Sequence, residues 1–410
     1  MRTYLCCLLL ILVCYTSNAQ LENKIILGNI DSIDSKILKE KRKIWIYVPN
    51  NAQFDIYAKP KYPVVYLLDG DAHFYSVVGM IQQLSSVNGN SICPEMIVVG
   101  IPNTDRTRDL TPTHMDIDRM MNDSNAVRTS GGGEQFTAFL EKEVIPYIEA
   151  TYPTLPYRTL IGHSYGGLAV MNILLNHKDI FNAYIAIDPS MWWDNKKLLS
   201  ATGSLLTQQD YKGKTFFLGI ANTMNPGIDT VTVKRDTSVS TDHIRSILAL
   251  NNLLQKNKKN GLAYNAKYYS SDSHGSVPLI ATYDALHFIF KFYDLRLTME
   301  DYMKISRNTI AKVENHYKEV SKQFGFTFLV PEQLINQLGY MAMSQKNMDE
   351  AEYLFNLNIT NFPVSFNVYD SIGDFYAANG DKEKAIKNYQ KALVLKDFPE
   401  TRYKLNALMK

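Results

Sequence analysis

Short apolar runs recur through the first three hundred residues, separated by longer stretches in which apolar and polar positions alternate at helical spacing. The runs Ile44–Val48, Val64–Leu68, Ile97–Ile101, Thr159–Ile161, Tyr184–Ile187, Thr215–Ile220 and Ala266–Tyr269 are rich in β-branched and aromatic residues and predict strands. Glu134–Tyr152 and Ile244–Lys256 predict amphipathic helices between them. Strand and helix in alternation imply an α/β fold, a mainly parallel sheet covered by helices on both faces. Such sheets bind ligands at the carboxyl ends of their strands. Asp69-Gly70-Asp71, Ser164, the segment after Ile220 and the segment after Tyr269 each follow a strand, so all four are expected at one edge.

Past about residue 298 the strand signal stops and the pattern turns helical. Leu338-Gly339 and Ile372-Gly373 are one repeat apart, as are Ala351 and Ala385, and Phe355 and Tyr389; this is the period of a tetratricopeptide helix pair. Two such pairs bury little by themselves, so they are expected to lean on the helix at 300–323 or on the larger domain. The expected organisation is an α/β domain at 24–298, a connecting helix at 299–328 and tetratricopeptide-like repeats at 329–410. The repeats read either as a stabilising helical cap or as a groove for a protein partner.

Composition narrows the class. Of 410 residues, 43 are Lys or Arg and 41 Asp or Glu, and the formal charge of +2 comes without any basic block. Neither nucleic acid nor an anionic membrane surface is suggested, and the expected partner is a small molecule. Residues 1–19 read as a secretory signal: Arg2, then the apolar stretch Leu5–Val13, then the small-x-small site Ser17-Asn18-Ala19 ahead of Gln20. A lipid anchor on Cys14 is the alternative, disfavoured by the bulk of Val13. The signal implies a secreted or periplasmic protein. Cys6, Cys7 and Cys14 leave with it, so only Cys93 remains and no internal disulfide can form.

Gly162-His163-Ser164-Tyr165-Gly166 joins a predicted strand to the small-residue start of a helix. A serine held on that sharp turn, with flanking glycines that let the backbone close, is placed to act as a nucleophile. Its proton needs an imidazole, and in this topology the chain order is serine, acid, histidine. His274, in the small polar loop after the last strand, fits that order; His287 reads as helix interior, His73, His114 and His163 break the order, and His177, on the helix after the turn, points away. The acid is expected after the strand Thr215–Ile220, where Asp229, Asp236 and Asp242 are available; Asp236 is favoured and Asp229 is second. A serine–histidine pair without a carboxylate is the remaining option. The oxyanion donors are expected to be the backbone N–H groups of Tyr165 and Asp71. Trp192 and Trp193 are expected to wall the substrate pocket, with His73 close behind the Asp69-Gly70 turn. No metal-ligand spacing occurs and no cofactor is expected.

Taken together, the chain resembles the esterase family of α/β-hydrolases that includes ferric siderophore (enterobactin) esterases, S-formylglutathione hydrolase, feruloyl esterases and the mycolyltransferases. The resemblance rests on Tyr62-Pro63-Val64-Val65-Tyr66-Leu67-Leu68-Asp69-Gly70, Arg108-Asp109-Leu110-Thr111-Pro112-Thr113, the Ser164 element, Ser190-Met191-Trp192-Trp193 and His274-Gly275-Ser276-Val277-Pro278. It implies Ser164 as nucleophile, His274 as base, and Tyr165 and Asp71 as oxyanion donors, and by likeness to the mycolyltransferases it favours Asp236 as the acid. Members that carry a glutamate soon after the strand differ from this chain, which has Asn222 and Thr223 there. The expected activity is hydrolysis of carboxylic esters, siderophore or aryl and acyl esters among them, through an acyl-enzyme. Acyl transfer on the same scaffold and an inert binding protein using its repeats are the alternatives.

Overall fold

The computed structural model describes residues 25–49, 56–117 and 123–410. The expected signal segment, with Cys6, Cys7 and Cys14, lies outside the described residues. Eight strands form one sheet: β1 Asn29–Ser35, β2 Glu40–Tyr47, β3 Tyr62–Leu68, β4 Ile97–Ile101, β5 Thr154–His163, β6 Ala183–Ile187, β7 Thr215–Ala221 and β8 Ala263–Tyr269. Their order is β1-β2-β4-β3-β5-β6-β7-β8. β1 and β2 are antiparallel to their neighbours, and every pairing from β4 through β8 is parallel.

Every residue of β3, β4 and β6 is buried, as strands covered on both faces require. The pleat divides them. Tyr62, Val64, Tyr66 and Leu68 face one core, while Val65 and Leu67 face the other. The first core is closed by α2 Arg106–Leu110, the helix pair α3 Gly133–Phe139 and α4 Ile145–Thr151 joined by a π-turn at Leu140–Val144, α5 Tyr165–Asn176, α6 Trp193–Gln208 and α7 Asp242–Lys256. The second is closed by α1 Gly70–Ser85 and α8 Val277–Ile289.

The C-terminal region is helical, as expected: α9 Met299–Met303, α10 Arg307–Phe324, α11 Glu332–Ser344, α12 Met348–Asn361, α13 Phe366–Ala378, α14 Lys382–Leu395 and α15 Pro399–Met409. α11 and α13 start 34 residues apart (366 − 332), and so do α12 and α14 (382 − 348). The hairpins close at their glycines: a Cβ on Gly339 would press on the Phe355 ring at 2.8 Å, and one on Gly373 on the Tyr389 ring at 2.6 Å.

α10 belongs to two cores. Its Ile310, Val313 and Tyr317 pack with α11, α12 and α13, while Val320 and Phe324 pack under the sheet. Phe324 meets Tyr157 edge-on at 4.8 Å, near the start of β5. Buried Glu332 of α11 accepts the Ala58 N–H at 2.7 Å, just ahead of β3, together with the Ser365 hydroxyl and the Asn367 amide. The helical region is therefore seated at the amino ends of the strands.

Candidate active site

The opposite edge gathers the chemistry. Between β5 and α5 the chain reverses at one residue, Ser164, with φ 59° and ψ −115°. That conformation costs a side-chain-bearing residue about 1–3 kcal/mol and is held only where packing over-determines it. A Cβ on Gly162 would run into the Gly166 carbonyl, and one on Gly167 would meet Pro189 at 3.0 Å. The Ser164 N–H donates to Ile187 O at 3.0 Å, and Ser164 Oγ lies 3.4 Å from Ser190 Oγ.

Asp69, at φ 53°, turns β3 into α1, and Gly70 approaches β4 so closely that a Cβ would sit 2.6 Å from Ile101 N. Tyr165 is the first residue of α5 and Asp71 the second of α1. N–H groups in a first helical turn point beyond the helix end and favour negative charge there. Arg106 ties the two turns together. It grips Asp69 at 2.6 and 3.0 Å, reaches His163 O at 3.3 Å, and lies over the Tyr165 ring at 5.1 Å. Asn103 Nδ2 adds bonds to Asp69 at 2.7 Å and Asp71 at 3.2 Å.

His274 follows β8 on a loop fastened to the end of β7. Asn222 donates its N–H to Asp272 O at 2.8 Å and its amide to Ser270 O at 3.0 Å. The His274 ring rests against that of His163, centroids 4.4 Å apart, which places it beside the Ser164 turn. Its Nδ1 lies 2.6 Å from Asp188 Oδ2, and His243 Nε2 lies 2.8 Å from the same oxygen. Asp188 Oδ1 accepts the Ala221 N–H at 3.0 Å. Asp188 has no exposed surface. Burial pushes its carboxyl up, but the two imidazoles and the N–H outweigh burial and hold it well below the usual carboxylate range. An ionised carboxylate only accepts, so both ring nitrogens facing it carry hydrogen. The three polar atoms lie within 4.8 Å of one another, a spacing that a cation could use, yet hydrogen bonds to a shared oxygen account for it fully. His163 is pushed down to about 4 by burial and by the neighbouring His274 and His73 rings, so it is neutral near pH 7.

The expected acid is corrected. Asp236 closes its own turn, accepting the Ser238 N–H at 2.7 Å; Asp229 does the same with Val231 and Thr232 at 2.9 and 2.7 Å; Asp242 pairs with Lys196 at 2.6 Å. The carboxylate on His274 comes from the end of β6 instead of the loop after β7. The order serine, acid, histidine is still obeyed. Asp188 directly follows a predicted strand, a signal obscured because Asp188-Pro189-Ser190 also reads as a turn. His243 carries no comparable signal.

The two tryptophans part company. Trp193 is core, 2% exposed, with Nε1 donating to Thr113 O at 3.0 Å, so it does not line an open pocket. Trp192 is half-buried against the first core, its ring 6.3 Å from that of Tyr165. His73 lines a narrow cleft with Leu68, His163, Pro278 and Leu279, and burial lowers its pKa. No described helix is long and apolar enough to cross a membrane.

The family model described as "Putative esterase" matches residues 35–241. The chain is 33% identical over 147 residues to the siderophore enterobactin esterase of Emericella nidulans, a match covering 33% of this chain and 48% of that protein. It is 34% identical over 154 residues to the ferri-bacillibactin esterase BesA of Bacillus subtilis, covering 34% and 52%. The chain thus spans about half the length of these curated relatives. Among solved structures, an IroE-like serine hydrolase from Shewanella oneidensis is 31% identical with a TM-score of 0.67, over 81% of this chain and 98% of that one. With the Ser164 turn, its sheet order and these relatives in agreement, the chain belongs to the esterase family of α/β-hydrolases.

Proposed function

We propose that the protein is an exported serine hydrolase of carboxylic esters that works through an acyl-enzyme. One observation supports this above the rest: the buried Asp188 carboxylate fixes the His274 ring beside the Ser164 turn. In this reading Ser164 Oγ turns from Ser190 toward His274 Nε2 when substrate binds, since catalytic hydrogen bonds often tighten only in the complex. His274 takes the hydroxyl proton as Oγ attacks the ester carbonyl, and Asp188 stabilises the imidazolium. The Tyr165 and Asp71 N–H groups receive the oxyanion. His274 returns the proton to the departing alkoxide, and the tetrahedral intermediate collapses to acyl-Ser164. Water, deprotonated by the same imidazole, then attacks the acyl carbon, and the imidazolium returns the proton to Ser164 Oγ as the acid departs.

The relatives named for siderophore esters make that class the first to test. Hydrolysis of p-nitrophenyl butyrate and of enterobactin is expected for the wild-type chain and absent from Ser164→Ala. Equal rates for the two proteins would refute the reading. Export is checked separately, by finding Gln20 at the amino terminus of protein recovered outside the cytoplasm.

A further inference from the structure

Asp188 carries one imidazole more than a serine–histidine–acid triad requires. His243, the second residue of α7, is 8% exposed, and its Nε2 shares Asp188 Oδ2 with His274 Nδ1. The two rings meet edge to face, 5.2 Å apart at 85°. The start of α7 is itself anchored: Asp242, the residue before His243, is bridged by Lys196 at 2.6 Å and Arg245 at 3.2 Å. The second imidazole is thus presented from a fixed helix end, whereas His274 arrives on a loop with 40% of its side chain exposed.

A buried carboxylate needs donors at every moment. With His274 as its only ring partner, each excursion of that loop would leave Asp188 Oδ2 charged and unpaired. The geometry points to His243 as a positioning residue that keeps Asp188 oriented and divides its negative charge with His274. This rests on the hydrolase reading above and extends it to a residue that does not touch the reacting atoms.

The consequence is a pH effect with a definite sign. His274 is faced by Asp188 from β6, His163 from the Ser164 turn and His243 from α7, while Asp272 on its own loop accepts the Ser276 hydroxyl at 3.0 Å. His73 lies behind His163, and the Lys196–Asp242–Arg245 cluster lies beside His243. An N–H from His243 draws on the same oxygen that stabilises protonated His274. Removing it leaves that oxygen more basic and strengthens its hold on the His274 N–H.

The experiment is the pH profile of kcat/KM for p-nitrophenyl butyrate. His243→Leu is expected to move the acid limb up by about one pH unit and to lower kcat. His243→Gln, whose amide nitrogen reaches the place of Nε2, is expected to hold the limb near the wild-type position. Wild-type limbs in both variants, or equal shifts in both, would overturn the proposal. Should the Leu variant not fold, the wild-type protein still decides it: two far-downfield ring N–H proton resonances are expected, from His243 and His274, and a single one would overturn it. A wild-type chain that hydrolyses no ester instead sinks the hydrolase reading, whereas a Ser164-dependent activity with unmoved limbs sinks only the role of His243.

Discussion

Asp188 stands in a backbone conformation that side chains rarely adopt, φ 43°, and is enclosed on all sides. Such a conformation persists only where the surrounding packing over-determines it. Asp188→Asn is expected to lower kcat by about 10⁴-fold with little change in KM, since the amide would stabilise the wrong tautomer of His274. Asp236→Ala is expected to stay within about twofold of wild type, as a surface-loop change should; steady-state kinetics on one ester reads both. His163 supplies a pH dependence of stability. Its folded pKa is depressed to about 4, below the ordinary imidazole value of about 6.5, so from pH 6.5 down to about 4 the unfolded chain binds a proton that the folded chain refuses. Stability therefore falls as pH drops through that window and levels off below it. Melting temperatures at pH 7, 5.5 and 4.5 are expected to fall less steeply in His163→Gln than in wild type.

Among elements, the first turn of α6 is the most strained: Asp194, Asn195 and Lys196 all have positive φ, at 48°, 52° and 65°. Left-handed turns of side-chain-bearing residues cost about 1–2 kcal/mol each. Asn195→Gly is expected to raise stability by up to about 1 kcal/mol by chemical denaturation. This turn lies between buried Trp193 and the Lys196–Asp242 pair, so it links the first core to the helix carrying His243. Strand positions were largely legible, because parallel strands buried on both faces are continuous apolar runs. β1 was not: Asn29–Ser35 is an edge strand whose Ile30 is 63% exposed, and its pattern of mostly polar residues has no apolar face to announce it. Ser164 and His274 were legible for a different reason, since glycine spacing and a small polar loop after a strand are local signals. Which carboxylate meets His274 depends on how far a turn carries a side chain across the sheet edge, and spacing along the chain does not encode that.

On the scale of the whole molecule, α10 makes one folding problem of two regions, as its lower half completes the core beneath the sheet while its upper half starts the helical array. Phe324→Ala is expected to lower stability by about 3–5 kcal/mol and, once folded, to leave kcat/KM for esters close to wild type. Thermal unfolding and ester hydrolysis measured on the same preparation separate the two effects. Tyr157, which Phe324 touches, stands seven residues before Ser164 in an extended strand, a span of about 23 Å. The sheet edge that carries Ser164 and the helical array consequently lie at opposite ends of the strands. A partner that grasps the array would tether the hydrolase with its mouth turned outward, and an ester could enter and its products leave without crossing the tether.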